Sequence, residues 1–157
     1  MILYLDTSAL VKLYAEEEGT GVVERAVEEA EAVATSVVAY AEARAAFARK
    51  LREGVFSREN RDDAVEALDE DWGAFEKPEV TGDLALEAGN LAEEHALRGF
   101  DAVHLASALL VREVYAGQDD GETEVVFLGF DSDLTRAATE TMRVYEPAED
   151  PDGQSPS

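Results

Sequence analysis

The chain has 157 residues, the size of one domain with a substantial hydrophobic core. It has no cysteine and only two histidines, His95 and His104, so disulfides and thiolate sites are excluded and any metal must be held mostly by oxygen atoms. The net charge of −23, from 13 basic and 36 acidic residues, argues against a basic groove that holds nucleic acid by counterion release.

The acids are spread along the chain and are not gathered in one tail. A surface with this much negative charge repels itself at ordinary salt, whereas high salt shortens the Debye length and suppresses that repulsion. We interpret the composition as adaptation to a salt-rich cytoplasm. Most of the acids are therefore predicted to be solvated surface residues.

The N-terminus is apolar only as far as Leu5 and has no basic segment before it, so it is not predicted to be a signal peptide. No apolar run approaches the roughly 18 residues that a membrane span needs. We therefore expect a cytoplasmic protein.

In the first half of the chain, Ile2–Leu5 is a continuous apolar run typical of a strand buried on both faces. Ser36 is a candidate cap for a long helix that ends at Gly54. The predicted elements here are a strand at 2–5, helices at 7–16 and 20–30, a strand at 32–34 and the long helix to Glu53.

In the second half, Pro78 separates two predicted helices. We interpret these two helices as a helical excursion within one domain, and we expect Gly99 to end the second of them. A polar loop is predicted at 117–123. The remaining predictions are helices at 57–75, from Gly82 or Asp83 to 97, at 101–115 and at 133–139, and strands at 125–128 and 143–145.

Strands that alternate with helices predict a three-layer α/β/α fold with a mainly parallel central sheet. We assign residues 1–146 to a single domain. Residues 147–157 hold three prolines, one glycine and no large apolar residue, and are predicted to form a disordered acidic tail.

Asp6 directly follows the first predicted strand. It therefore lies at the carboxyl end of a buried strand, where open α/β sheets bind their ligands. The alternative role is an N-cap for the next helix, although Thr7 or Ser8 can supply that cap as well. We favour a functional carboxylate.

Glu42 is the only acid between Glu31 and Glu53. It borders a predicted apolar stripe of small residues, where a carboxylate needs a partner or a metal. Pairing with Arg44 or Arg49 on an exposed face is an equally strong interpretation. The predicted stripe consists of Val38, Ala41, Ala45 and Ala48.

Asp101 opens the most apolar predicted helix, and its first turn is expected to point at the carboxyl edge of the sheet. An N-cap role competes strongly at this position. His104, one turn further on, can hydrogen-bond Asp101 or can be a satisfied core histidine. We favour the core histidine.

Asp131 repeats the arrangement of Asp6, since it follows an apolar strand and precedes a helix. Asp133 is a rival for the same role, although we expect it to cap the last helix. Carboxylates that converge in one place repel each other unless a cation neutralises them, and Mg²⁺ suits a site of few carboxylates and several waters. Such a site can activate a water against a phosphodiester and bring positive charge to a polyanion.

These segments resemble the PIN-domain ribonucleases, and most closely the VapC-type toxins of toxin–antitoxin pairs. The resemblance covers residues 1 to about 145. It is carried, in order, by Leu5-Asp6-Thr7-Ser8-Ala9-Leu10, Ala41-Glu42, Asp101-Ala102-Val103-His104-Leu105-Ala106-Ser107-Ala108 and Phe127-Leu128-Gly129-Phe130-Asp131-Ser132-Asp133-Leu134.

The resemblance implies an endoribonuclease that depends on Mg²⁺ or Mn²⁺ and uses Asp6, Glu42, Asp101 and Asp131 as catalytic residues and metal ligands. Thr7 or Ser8 matches a hydroxyl that orients the first acid. The family often has Thr or Ser where Gly129 stands here, which also bears on the choice between Asp131 and Asp133 as the fourth acid. It further implies RNA as substrate, a small antitoxin whose cationic segment enters the acidic site, and a homodimer.

Two alternatives remain at this stage. A haloacid-dehalogenase-like phosphatase also has an Asp after its first strand, but its motif requires a second Asp two residues later, where this chain has Ser8. The other alternative is a catalytically silent PIN-like protein that acts through a partner.

Overall fold

The computed structural model describes residues 1–147. The predicted tail at 147–157 lies outside these residues except for Pro147. None of the helices in the described part combines the length and apolarity that a membrane span requires.

A four-stranded parallel sheet forms the centre of the fold, in the order β2-β1-β3-β4. Ile2 lies opposite Ala32 on one side and Val125 on the other, so β1 is flanked along its length. The strands are β1 (Ile2–Leu5), β2 (Ala32–Ala34), β3 (Val125–Leu128) and β4 (Arg143–Val144).

Seven helices cover the two faces of this sheet within residues 1–147. They are α1 (Thr7–Lys12), α2 (Thr20–Glu29), α3 (Val38–Arg52), α4 (Arg58–Trp72), α5 (Gly82–His95), α6 (Gly99–Asp119) and α7 (Ser132–Thr141).

Successive side chains of β1 enter two separate hydrophobic cores. Ile2 and Tyr4 pack with α5, α6 and α7, while Leu3 and Leu5 pack with α1 to α4. All four residues are buried, which explains why the strand reads as a continuous apolar run. The predicted three-layer fold with a parallel sheet is confirmed.

The segment between α4 and α5 corrects the predicted helical excursion. The two helices lie on opposite faces of the sheet, and the chain passes beside β2 between them. Glu76 donates its N–H to the carbonyl of Val33 and accepts from the N–H of Thr35. The edge of β2 thereby gains hydrogen-bond partners that it otherwise lacks.

Three predicted helix ends were wrong. Helix α1 ends at Lys12 and not at residue 16, because the Thr20 hydroxyl donates to the Lys12 carbonyl and takes the place of the next helical N–H. Ala96, with φ of 54°, ends α5, and Gly99 begins α6. Helix α6 continues through the first part of the predicted loop to Asp119.

The packing of Phe47 generates a stability prediction. Its ring is fully buried between Tyr14 and Phe56 in the core beneath α3. We expect Phe47→Ala to lower the free energy of unfolding by about 3–5 kcal/mol because it leaves a cavity. The measurement is urea unfolding, and the exposed Val55→Ala serves as a control that we expect to change stability by less than about 0.5 kcal/mol.

Candidate active site

The four predicted acids line one cavity of about 1130 Å³ at the carboxyl ends of β1 and β3. Thr7, Ser8 and His104 line the same cavity, and Asp133 does not. Four separate segments of the chain contribute the carboxylates: the ends of β1 and β3, and helices α3 and α6. They are Asp6, Glu42, Asp101 and Asp131.

Asp6 is both the predicted site carboxylate and the N-cap of α1. Its Oδ1 accepts from the Ala9 N–H at 2.9 Å and from the Ser8 hydroxyl at 2.6 Å. Its side chain is almost fully buried, and burial raises its pKa despite these hydrogen bonds. One oxygen is thus fixed by the helix, while Oδ2 makes no hydrogen bond among residues 1–147.

Gly129 makes room for the Asp6 carboxylate. A Cβ atom at this position would lie 2.4 Å from Asp6 Oδ2 and 2.7 Å from its carboxyl carbon. A serine or threonine side chain therefore does not fit here beside Asp6 in its present position, and the glycine leaves the space that the acid occupies.

Glu42 projects from α3 toward α1 and α6, and not toward Arg44 or Arg49. Its Oε1 accepts from the Thr7 hydroxyl at 2.7 Å and lies 2.9 Å from His104 Nε2. Burial raises the pKa of Glu42, but the hydrogen bonds from His104 and Thr7 outweigh it and leave the pKa below its usual value.

The predicted apolar stripe beside Glu42 was wrong. The buried residues of α3 are Ala39, Ala43 and Phe47, whereas Ala41 and Ala45 are exposed. Alanine is common on either face of a helix, so it does not define the register. Phe47, whose aromatic ring is buried, fixes which face of α3 packs against the core.

His104 is a core histidine, as we favoured, and it also connects the core to the site. It is 2% exposed, with Nδ1 2.9 Å from the Tyr4 hydroxyl and Nε2 facing Glu42. Because an ionised carboxylate can only accept, we assign the ring proton to Nε2 and let Tyr4 donate to Nδ1. His104 therefore positions Glu42.

Asp101 lies in the first turn of α6 and is not its cap, since the N-cap residue is Arg98. Burial raises the pKa of Asp101, and the nearby charge of Asp131 raises it further, while Arg98 opposes both effects. Arg98 Nε lies 3.6 Å from Asp101 Oδ2, and Arg98 Nη2 lies 3.6 Å from Asp131 Oδ2. The guanidinium is thus a cation of the chain itself that lies between two of the acids.

The last helix is capped by Asp131 and not by Asp133, which corrects our expectation. Asp131 Oδ1 accepts from the Leu134 N–H at 2.9 Å. Asp133 is exposed and pairs with Arg136 at 3.1 Å. Of the two rivals, only Asp131 lies beside the other acids.

Sequence reasoning missed the cations around the acids. Lys12, Arg49, Lys50 and Arg98 line the cavity with them. The cavity as a whole still holds more acids than bases, which agrees with the prediction against a basic groove. The rarity of lysine was an available signal, because two of the three lysines in the chain are here.

The four acids are chemically suited to Mg²⁺, since they offer hard carboxylate oxygens. Two of them already attract a positive charge, the guanidinium of Arg98. As the side chains stand, however, no group of three or more His, Asp or Glu residues within positions 1–147 has the geometry of a metal site. The metal site remains a prediction.

Comparison with known proteins identifies the family. A family model described as PIN domain matches residues 3–140. The chain belongs to the PIN-domain family. The phosphatase alternative is therefore dropped.

Two relatives in Mycobacterium tuberculosis are named Ribonuclease VapC45 (strain CDC 1551 / Oshkosh) and Ribonuclease VapC49 (strain ATCC 25618 / H37Rv). Each is 40% identical to this PIN-domain chain over 110 residues, which cover 70% of the chain and 76% of the relative. The recognised resemblance to VapC-type proteins is thereby confirmed.

Solved structures show the same fold. PAE2754 from Pyrobaculum aerophilum matches with a TM-score of 0.59 and 21% identity, covering 92% of both chains. FitAcB from Neisseria gonorrhoeae matches with a TM-score of 0.58 and 19% identity, covering 93% of this chain and 97% of that one.

The close approach at Gly129 gives a testable consequence. We expect Gly129→Ala to destabilise the protein by about 1–3 kcal/mol, because the new methyl group overlaps the Asp6 carboxylate and forces it to move. Thermal unfolding measures the effect. Gly21→Ala is the matched control, since no atom of residues 1–147 lies within 4 Å of its added Cβ. A change in stability equal to that of the control would contradict the role of Gly129.

Proposed function

We propose that this PIN-domain protein is a Mg²⁺-dependent endoribonuclease that hydrolyses RNA phosphodiester bonds, and that it is the toxin of a toxin–antitoxin pair. Mn²⁺ is a chemically suitable substitute. The observation that carries the proposal is the convergence of four carboxylates from separate segments in one cavity. The names of the two 40% identical relatives support the ribonuclease activity.

The chain fixes three of the four carboxylates through hydrogen bonds to one oxygen. Asp6 and Asp131 are fixed through Oδ1 as helix caps, and Glu42 is fixed through Oε1 by Thr7 and His104. A Mg²⁺ ion would be held by the remaining oxygens of these acids and of Asp101, with waters completing its coordination.

When bound, Mg²⁺ supplies Lewis acidity, which activates a water and stabilises negative charge on the phosphate. In the hydrolysis, the water oxygen bonds to phosphorus, one P–O ester bond breaks and the leaving oxygen takes up a proton. The chain itself positions the carboxylates, and Ser8 further fixes Asp6 by accepting from the Phe130 N–H at 2.9 Å.

We propose two protein partners from the VapC-type assignment. One is a small antitoxin with a cationic segment, which the excess of carboxylates in the cavity suits electrostatically. The other is a second copy of the chain in a homodimer. We further propose that the net charge of −23 reflects work at high salt, where self-repulsion is screened.

Substitution of the acids tests the activity. We expect Asp6→Asn, Asp101→Asn and Asp131→Asn each to lower the cleavage rate at least about a hundredfold, because metal catalysis supplies several kcal/mol of transition-state stabilisation. Asparagine caps helices as well as aspartate does, so the folds of the Asp6 and Asp131 variants should be retained. The measurement is cleavage of a mixed RNA panel in Mg²⁺ or Mn²⁺ at low and at molar KCl.

Asp133→Asn is the matched control, since it removes one acid two residues from Asp131 and should keep full activity. Loss of cleavage with Asp133→Asn and not with Asp131→Asn would reverse the assignment of the fourth acid. If the wild-type protein binds RNA or a partner but cleaves nothing on the panel, the catalytically silent alternative is correct.

The position of Arg98 makes a separate prediction about the metal. Its side chain is 83% exposed and forms two long ion pairs with ligand candidates, so a metal ion must compete with it. We expect Arg98→Gln to tighten Mn²⁺ binding about three- to tenfold, since each exposed pair is worth up to about 1 kcal/mol. Calorimetric titration without RNA measures this.

Arg136→Gln controls for the loss of one positive charge, because Arg136 pairs with Asp133 outside the cavity. Equal Mn²⁺ affinities of the Arg98 variant, the Arg136 variant and the wild-type protein would show that Arg98 does not compete for the site.

A further inference from the structure

The two walls of the cavity differ in chemistry. One wall comes from α1, α3 and the loop after α1, and it carries charged residues, which are Lys12, Glu17, Arg49, Lys50 and Glu53. The other wall comes from α5 and the start of α6, and apart from Arg98 it is mainly apolar and small, with Ala85, Ala88, Gly89, Ala92, Phe100 and Val103. Of the four acids, Glu42 belongs to the helix of the charged wall and Asp101 to the helix of the apolar wall, while Asp6 and Asp131 follow β1 and β3.

The charged wall is much less acidic than the chain as a whole. With Glu42, which α3 also contributes, it holds three cations and three carboxylates, whereas the whole chain has 36 acids and 13 bases. Cations that persist in so acidic a protein, on a wall beside the acids, indicate a negatively charged ligand.

Glu17 holds the two lysines side by side. Its two oxygens accept from Lys12 Nζ at 3.1 Å and from Lys50 Nζ at 2.7 Å. Lys12 also donates to the Glu18 carbonyl and lies over the Phe130 ring, 4.6 Å from its centroid. An ammonium group has three donors, so the hydrogen bonds within residues 1–147 leave one donor of Lys12 and two of Lys50 unused.

Phe100 gives the opposite wall an exposed aromatic face. It is 61% exposed although it directly precedes the partly buried Asp101. Bases of every kind stack on aromatic side chains, and the small residues of α5 beside the ring leave space for them.

We propose that an RNA strand in this cavity has a fixed orientation, in which its phosphates contact Lys12 and Lys50 and one of its bases stacks on Phe100. This inference rests on the proposed function, because it names how that site holds its substrate. A single strand has a charged edge and an apolar edge, which match the two walls, whereas a duplex presents phosphates on both sides and hides its base faces.

The test measures binding of a fluorescent RNA of about ten nucleotides by anisotropy, with Mg²⁺ present, in the Asp101→Asn background so that the strand stays intact. The single strand should bind more tightly than the same strand annealed to its complement. Equal or tighter binding of the duplex would overturn the proposal.

The phosphate side predicts a change in salt dependence. Lys12→Met and Lys50→Met should each reduce the slope of log Kd against log salt by about 0.7, the value for one phosphate contact on a single strand. Arg58→Met removes an exposed positive charge outside the cavity and should leave the slope unchanged. Glu17→Gln should tighten binding, because it frees the two ammonium groups.

Stacking on Phe100 predicts a loss of RNA affinity that depends on the stacked base. Phe100→Ala should weaken binding about five- to fiftyfold, and Phe100→Trp should restore it. The loss should disappear when an abasic site replaces the stacked nucleotide, located by moving one abasic site along the strand. Leu86→Ala, which alters an exposed apolar residue outside the cavity, should have no effect.

Three other outcomes would contradict this assignment: lysine variants that change the slope no more than Arg58→Met, a Phe100→Ala loss that persists at every abasic position, or a Phe100→Ala variant that loses dimerisation and not RNA affinity. If every binding result is as expected but the wild-type protein cleaves no RNA, the proposed ribonuclease activity is wrong and the proposed orientation of the bound strand is retained.

Discussion

Electrostatic repulsion among carboxylates that folding brings together is the constraint on which this site depends. Burial is the main cause of the raised pKa values of both Asp6 and Asp101, and the charge of Asp131 at Asp101, and to a lesser degree of Asp101 at Asp6, adds to it. Such a group is stable only where hydrogen bonds or cations offset the repulsion. The chain supplies both, with backbone N–H groups and hydroxyls at Asp6 and the Arg98 guanidinium at Asp101 and Asp131.

The same hydrogen bonds that complete the secondary structure also orient the site. Asp6 and Asp131 each cap a helix that follows a strand, so the capping hydrogen bond at the turn from strand to helix fixes one oxygen of each carboxylate. At these two positions one aspartate can therefore both cap its helix and belong to the candidate site. Glu42 has no such cap, and the buried His104, itself held by Tyr4, takes over the positioning.

The strongly acidic composition does not extend evenly into the cavity. Lys12, Lys50 and Arg49 lie on one wall, and Glu17 holds the two lysines in place. In a protein that repels polyanions over most of its surface, a local cluster of held cations determines where a polyanion can approach. The overall charge of the chain disfavours a polyanion, whereas the local cations of this wall would favour one there.

The sequence by itself determined the fold class and the candidate acids, because apolar runs at 2–5 and 125–128 mark buried parallel strands and an acid after each must lie at the same sheet edge. Only the tertiary structure decided that Asp131 and not Asp133 faces that edge, since the two differ by two positions on one turn and only the capping hydrogen bond separates them. The wrong stripe on α3 has a similar cause, because alanine gives no preference between faces until Phe47 packs. The contact of Arg98 with Asp131, the space that Gly129 leaves for Asp6 and the two unlike walls of the cavity were invisible in the sequence, because each joins residues that are far apart along the chain.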